Sequence, residues 1–313
     1  MMSKQKAREV FSKKILERAK KDSSIFVVCS DSMGSAMIED FAKELPEQFV
    51  EMGIAEQNAV TVASGLASLG KKVFVIGPAS FYSTRAAEQI KVDVAYSNNN
   101  VKIMGISGGI SYGNLGATHH SVQDIAFMRA VTNLDVLIPA DGNQMGALVD
   151  LLLENENPTY VRIGRGEVDD IYDKSEVFKI GGSKVLRKGN DIAIFTCGQL
   201  VSRALALSDL LEVRGYSASV VDIYSVKPID QGTIIDIAKK CGAALTIEEH
   251  SVFGGLGGAI AEILVQEYPI PMYIAGIPDE EIPNGTDLEV FDVIGLNQNE
   301  LLEKALILIE KRL

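Results

Sequence analysis

Val50-Glu51-Met52-Gly53-Ile54-Ala55-Glu56-Gln57-Asn58-Ala59-Val60 opens a stretch that continues TVASGLASLGKKVFVIG to Gly77. It reads as a strand end, a helix, a glycine stop and a second strand. EQFVEMG from Glu47 is a short apolar run, EQNAVTVASGLASLG has helical periodicity, and KVFVIG from Lys72 is rich in β-branched residues. Gly70 supplies the left-handed residue at which such a helix ends. Short apolar runs alternating with helices are the pattern of a parallel sheet covered on both faces.

The alternation extends outward. SIFVVCS from Ser24 precedes the stretch, and VKIMGIS from Val101, DVLIP from Asp135 and TYVRIG from Thr159 follow it, with SVQDIAFMRAV from Ser121 as one connecting helix. After Arg165 the charged, weakly patterned GEVDDIYDKSEVFKIGGSKVLRKGND reads as an inter-domain linker with room for short strands of its own. The pattern then restarts. DIAIFTCG, SASVVDIYS, AALTIEEH and PMYIAG alternate with helices from about Gln199, Asp230 and Leu256, and NELLEKALILIEKRL closes the chain. The expected fold is α/β with two domains: a parallel-sheet domain over 1–166, a linker over 167–190 and a smaller α/β domain over 191–313.

Composition narrows the classes of function. The chain has 313 residues, 47% hydrophobic, enough for two cores. With 30 Lys+Arg against 42 Asp+Glu its net charge of -12 excludes the broad basic surface of a nucleic-acid binder. Cys29, Cys197 and Cys241 form no CxxC pair and fit reduced thiols in the cytoplasm. MMSKQKAREVFSKKILERAKKD has helical spacing and no continuous apolar core, and Glu9 and Glu17 argue against a mitochondrial presequence. No run approaches the roughly 18 apolar residues of a membrane span.

Three isolated motifs fail on context. Gly105-Ile106-Ser107-Gly108-Gly109 has the GxSxG spacing of a nucleophile elbow, and Asp222 and His250 complete the order Ser, Asp, His. A hydrolase elbow turns at once into a helix, however, and here the glycine-rich loop ISYGNLGATHH follows. GLASLGK at Gly65 ends a helix and lacks the Ser or Thr of a P-loop. GGLGGA at Gly254 fits a tight strand-to-helix turn better than a phosphate loop. Glu56 itself carries two readings. It is either a helix N-terminal carboxylate favoured by the macrodipole or a functional acid where ligands of open parallel sheets collect.

VEMGIAEQNAVTVASGLASLGKKVFVIGPASFYSTRAAEQI, GATHHSVQDIAFMRAV, LIPADGNQ and PTYVRIGRGEV together resemble the pyrimidine-binding domain of transketolase and deoxyxylulose phosphate synthase. DIAIFTCGQLVSRALALSDLL, VVDIYSVKPID and TIEEHSVFGGLGGAIAEIL are similar to the transketolase C-terminal domain. The resemblance covers nearly the whole chain. It implies transfer of a two-carbon ketol unit from a ketose to an aldose through a thiamine diphosphate carbanion, the cofactor serving as electron sink. It implies that Glu56 contacts N1′ of the aminopyrimidine and holds a proton there, which requires burial to outweigh the helix dipole. Tyr82, with Phe81 second, is implied as the aromatic stacked on the ring, beside Arg85, and Asp31 as an acid near the cofactor. His119 is implied at the reacting centre as a proton shuttle or anion binder. His120 stands where the family has glutamine, and a solvent-facing position before Ser121 is its alternative. Arg165 is implied as a grip on substrate phosphate.

The chain departs from the family at several points. Leu115 replaces an aspartate thought to read a substrate hydroxyl, and Ser107 replaces a histidine, so Ser107 and His120 are left as candidate substrate contacts. The N-terminal phosphate-gripping arginine is missing from its nearest aligned position, Gln5, which leaves phosphate to Arg165 and Ser35. The GDG…NN element that holds Mg2+ or Ca2+ and diphosphate is absent from the chain. The resemblance therefore implies half an enzyme: a transketolase N-terminal-like subunit carries GDG…NN, and two copies of each chain form a heterotetramer. The beta subunit of a 2-oxo acid dehydrogenase, a deoxyxylulose-phosphate-synthase-like enzyme and a non-catalytic binding subunit are the alternatives.

Overall fold

The computed structural model describes residues 4–312. Each apolar run of the first domain becomes one strand of a seven-stranded sheet. In spatial order the strands are Ser225–Lys227, Asp135–Leu137, Thr159–Ile163, Val101–Ile106, Lys72–Pro78, Ile25–Cys29 and Phe49–Glu51. All neighbours pair in parallel except Ser225–Lys227, which runs antiparallel to Asp135–Leu137. Val101–Ile106 is buried at every residue, so it has no solvated face and no reason to alternate. Helices Ala7–Ala19 and Gly142–Glu154 cover one face through Phe11, Ile15, Leu148 and Leu152. Glu56–Ser68, Asp124–Ala130 and a π-helix over Ile90–Tyr96 cover the other through Ala59, Ala63, Val94 and Met128.

The second sheet has five strands in the order Met272–Ile277, Ala244–Ser251, Ile192–Thr196, Ala218–Asp222 and Lys184–Arg187, the last antiparallel. Lys184–Arg187 corrects the expected boundary at Asp191, because the second sheet already begins in the segment read as linker. Nor is that segment a free tether. Glu167–Asp169 pairs antiparallel with Lys4–Lys6, and the N–H groups of Ile171 and Tyr172 donate to Asp141 Oδ2 at 2.6 and 2.8 Å. Tyr172, Phe178 and Tyr224 then meet edge to face at 5.0 and 5.3 Å. In exchange, Ser225–Lys227 lends a strand to the first sheet. One apolar cluster runs through both domains, joining Val136 and Ile138 to Phe195, Val226, Ile234 and Ile260.

The two glycine motifs set aside on context are turns in the structure. Gly70 has φ +80° and closes Glu56–Ser68, with Lys71 N–H donating to Leu66 O at 3.2 Å. At GGLGGA the amides of the helix start are taken by Glu248, which accepts from Leu256 N at 2.6 Å and Gly257 N at 2.8 Å. One helix went unread: Asp287–Val293, opened by a capping box between Thr286 and Glu289. Among the described residues no helix is long and apolar enough to cross a membrane.

His250 joins the domains. Its Nε2 accepts from Ala126 N–H at 3.2 Å, so the proton sits on Nδ1, which donates to Ser251 O at 2.8 Å. Burial pulls its pKa below the ordinary imidazole value. The unfolded chain therefore binds a proton that the folded chain refuses, and His250 contributes its stability above about pH 6.5 and loses it as the pH falls further. Denaturant unfolding of wild type and His250→Gln from about pH 8 to about pH 5 should show the wild-type advantage shrinking on the acid side. A pH-independent difference would contradict the buried neutral imidazole.

Candidate active site

The carboxyl ends of the parallel strands deliver side chains from several segments to one place. Glu56 opens its helix only 2% exposed, and its Oε2 accepts from Arg85 Nη1 at 2.7 Å. The Arg85 guanidinium lies over the Phe81 ring at 4.6 Å. Phe81 meets His119 edge to face at 5.3 Å, and His119 meets Tyr112 in the same way at 5.3 Å. Tyr112 carries the Arg165 guanidinium at 4.8 Å, and Arg165 Nη1 donates to Ser107 Oγ at 3.3 Å. A continuous line of contacts thus links a buried carboxylate to a guanidinium through three aromatic rings. It brings together the sequence candidates Glu56, Phe81, Arg85, His119, Arg165 and Ser107.

Several expectations need correction. Tyr82 has no exposed surface, and its hydroxyl sits 3.0 Å from Ser30 Oγ and 3.3 Å from Ile76 O, so this ring is core and cannot face a planar ligand. Phe81, partly exposed beside Arg85, is the aromatic at the mouth. Ser107 is likewise fully buried, at φ +57°, and its hydroxyl supports Arg165 instead of facing substrate. The hydrolase triad dissolves, because Asp222 accepts from Tyr172 Oη and Gln144 Nε2 and His250 is bonded as described above. His120 is buried, not solvent-facing: Nε2 donates to Gly113 O at 3.2 Å, inside the loop, and Nδ1 has no partner. Asp31 is exposed at the end of Ile25–Cys29 with φ +49°, its N–H held by Glu51 Oε1 at 2.7 Å.

Arg8, three residues after Gln5, reaches Ser35. Its Nη1 donates to the carbonyl of Ser35 at 2.6 Å, and its Nε is buried without a partner. Burial, and after it the charge of Arg165, pulls the Arg8 pKa below its ordinary value. Two guanidinium groups whose charges oppose each other are a candidate cradle for an anion. Gln5 plays no part in it, since its Nε2 donates to Asn143 Oδ1 at 3.2 Å and Asp170 Oδ1 at 2.7 Å.

The loop carrying Tyr112 and His119 is closed at its neck by reciprocal bonds, Gly109 N to Ser121 O at 2.9 Å and Ser121 N to Gly109 O at 2.7 Å. Arg162 Nη2 donates to Ser121 O at 3.3 Å and across the domain boundary to Glu249 O at 2.6 Å, while Nε lies 3.4 Å from Asp124 Oδ2. Burial opposes the Arg162 charge, but Asp124 and Glu249 outweigh it and raise the pKa. Glu249 Oε1 accepts from Ile110 N at 2.8 Å, and burial pushes this carboxyl up to about 7. A Cβ on Gly108 would stand 2.1 Å from Arg162 Nε, and one on Gly109, at φ +67°, 2.2 Å from Glu249 Oε1. These inter-domain anchors went unread because neither arginine nor glutamate carries a motif. Gly109→Ala should cost on the order of 1–3 kcal/mol. It should also speed amide exchange in the loop while the sheet stays protected, and hydrogen exchange read by mass spectrometry checks both.

Among the described residues no group of three or more His, Cys, Asp or Glu is placed to hold a metal ion. What the site offers is a buried carboxylate, partly exposed aromatic rings and a candidate arginine cradle.

The chain matches the family models for the transketolase pyrimidine-binding domain over residues 3–170 and the transketolase C-terminal domain over 181–301. It belongs to the transketolase family. It is 46% identical to one of the named subunits of the apulose-4-phosphate transketolase of Phocaeicola vulgatus, with 97% of each chain covered. It is 39% identical to a putative transketolase C-terminal section of Methanocaldococcus jannaschii over 82% of this chain and 81% of that one. A solved split gene transketolase, described as an inactive beta4 tetramer, superposes with a TM-score of 0.91 at 36% identity, over 98% of this chain and 99% of that one.

Proposed function

We propose that the chain is the C-terminal subunit of a split transketolase, moving a two-carbon ketol unit between a ketose phosphate and an aldose phosphate. The observation that carries the reading is the buried Glu56 carboxylate joined through Arg85 to the partly exposed Phe81 ring, which suits an aminopyrimidine: an acid for a ring nitrogen and an apolar ring close by. Thiamine diphosphate, when bound, supplies the electron sink for ketol transfer. Glu56 holds a proton at N1′, and Arg85 orients the Glu56 carboxylate from its Oε2 side. His119, partly exposed with Nδ1 2.9 Å from Thr118 Oγ1, holds or moves a proton at a substrate oxygen. Arg8 and Arg165 bind the substrate phosphate, with Gln5 taking no part in it. Asp31 stays a candidate contact at the cofactor edge.

Diphosphate and its Mg2+ or Ca2+ fall to a second chain, resembling the transketolase N-terminal section with its GDG…NN element, in a heterotetramer. Relatives named as a transketolase subunit or a C-terminal section, and matched over most of their length, support this division. So does the solved relative described as an inactive tetramer of beta chains. The free buried thiols of Cys29, Cys197 and Cys241 fit a cytoplasmic enzyme.

Native pull-down should recover a stoichiometric partner carrying GDG…NN. With that partner, Glu56→Gln should lower ketol transfer at least about 100-fold while the fold and thermal unfolding stay unchanged. Full activity in Glu56→Gln would overturn the reading. Arg8→Ala and Arg165→Ala should each lower kcat/KM for phosphorylated sugars about tenfold or more.

A further inference from the structure

Tyr112 lies inside the line of contacts, yet ketol transfer as proposed leaves it without a role. Its ring is the spacer between the anion cradle and His119, with the Arg165 guanidinium on its face at 4.8 Å and the His119 ring against it at 5.3 Å. Both rings are partly exposed, so a ligand reaching from one group to the other passes along Tyr112.

The backbone keeps this spacing. Tyr112 and His119 flank a short segment, Gly113–Thr118, of two tight turns kinked at Gly116, with Leu115 N–H donating to Tyr112 O at 3.1 Å and His119 N–H to Gly116 O at 2.9 Å. The segment rests on the second domain: a Cβ on Gly113 would lie 2.7 Å from Gly285 O, and one on Gly116, at φ +70°, 2.4 Å from Asn284 Oδ1. A loop seated so closely cannot slide to accommodate a different distance. A guanidinium stacked on an aromatic face keeps its in-plane N–H groups available, which is the arrangement that binds an oxyanion through two donors. The edge-to-face contact on the other side orients the imidazole.

We infer that Tyr112 is a specificity-determining residue, whose ring sets the separation between the phosphate cradle of Arg8 and Arg165 and the His119 imidazole and transmits occupancy of the first to the second. The inference rests on the ketol-transfer reading for its substrate class, a phosphorylated aldose. Selection falls on the phosphate and its distance from the reacting carbon, because the group between Arg165 and His119 is an aromatic ring.

Two measurements test it. In the reconstituted pair, Tyr112→Ala and Tyr112→Leu should lower the ratio of kcat/KM for a phosphorylated over the matching unphosphorylated aldose about tenfold or more. Tyr112→Phe, which keeps the ring, should hold that ratio within about threefold. In the full chain alone, which has three histidines, the His119 ring proton is assigned with His119→Gln and followed by NMR during titration with inorganic phosphate. Its resonance should move in wild type and Tyr112→Phe and stay still in Tyr112→Ala. Equal loss with both sugars, an unchanged ratio, or a phosphate-induced His119 shift persisting in Tyr112→Ala overturns the role. If the wild-type pair transfers no ketol unit, the functional reading fails, and the NMR titration still decides the coupling.

Discussion

Arg162 stands at the end of a parallel strand, 5% exposed, and a charge so placed has to be met where it is. It is met by Asp124 and by two carbonyls, Ser121 O at the neck of the active-site loop and Glu249 O in the second domain. Asp124 is held in turn by the hydroxyl of Tyr160 at 2.7 Å, directly beneath the strand glycine Gly105. Withdrawing any one of these leaves a desolvated polar group without its partner. The sheet, the helix from Asp124, the loop and the second domain are therefore locked in one relative position.

That lock gives the second domain its place in the chemistry. The line from Glu56 to Arg165 is built from side chains of the first domain. The second domain holds Ile110 through Glu249 and seats the loop tip on Gly285 and Asn284, so the positions of Tyr112 and His119 depend on it. Electrostatics follow the same division. The chain is acidic overall at -12, yet Arg85 and Arg165 stand near the two ends of the line of contacts, Arg85 paired with Glu56 and Arg165 on Tyr112.

Much of the fold was legible because buried parallel strands are continuous apolar runs and their helices carry the complementary period. The helix Asp287–Val293 was legible too, in the Thr-x-x-Glu of its capping box, but it lies in a charged stretch where no strand frames it. Glu56 was a candidate from its place at a strand end and His119 and Arg165 from the family resemblance, and the structure places all three on one line of contacts. The sequence misled where orientation decided. Phe81 and Tyr82 are neighbours on one short helix, about 100° apart around its axis, and only packing against Ser30 and Ile76 sends Tyr82 inward. Gln5 and Arg8 are less than a helical turn apart, and it is the packing of Ala7–Ala19 that brings Arg8 to the Ser35 carbonyl while Gln5 turns to Asn143 and Asp170.

The order of residues by itself determined the two-domain α/β plan, the strand and helix sequence, the strand-end glutamate and the loop histidine. Each of these is written in local periodicity or in a contiguous motif, which is where short-range physics acts. The tertiary structure alone decided that Phe81 is partly exposed while Tyr82 is buried, and that Arg8 feels the charge of Arg165. It alone decided that the second sheet starts at Lys184, that Ser225–Lys227 crosses to the first sheet, and that Glu249 and Arg162 hold the active-site loop. Those outcomes come from buried charges and hydroxyls finding partners far away in the chain, as Gln5 finds Asp170 and Arg162 finds Glu249, and such pairings exist only once the sheets have closed on each other.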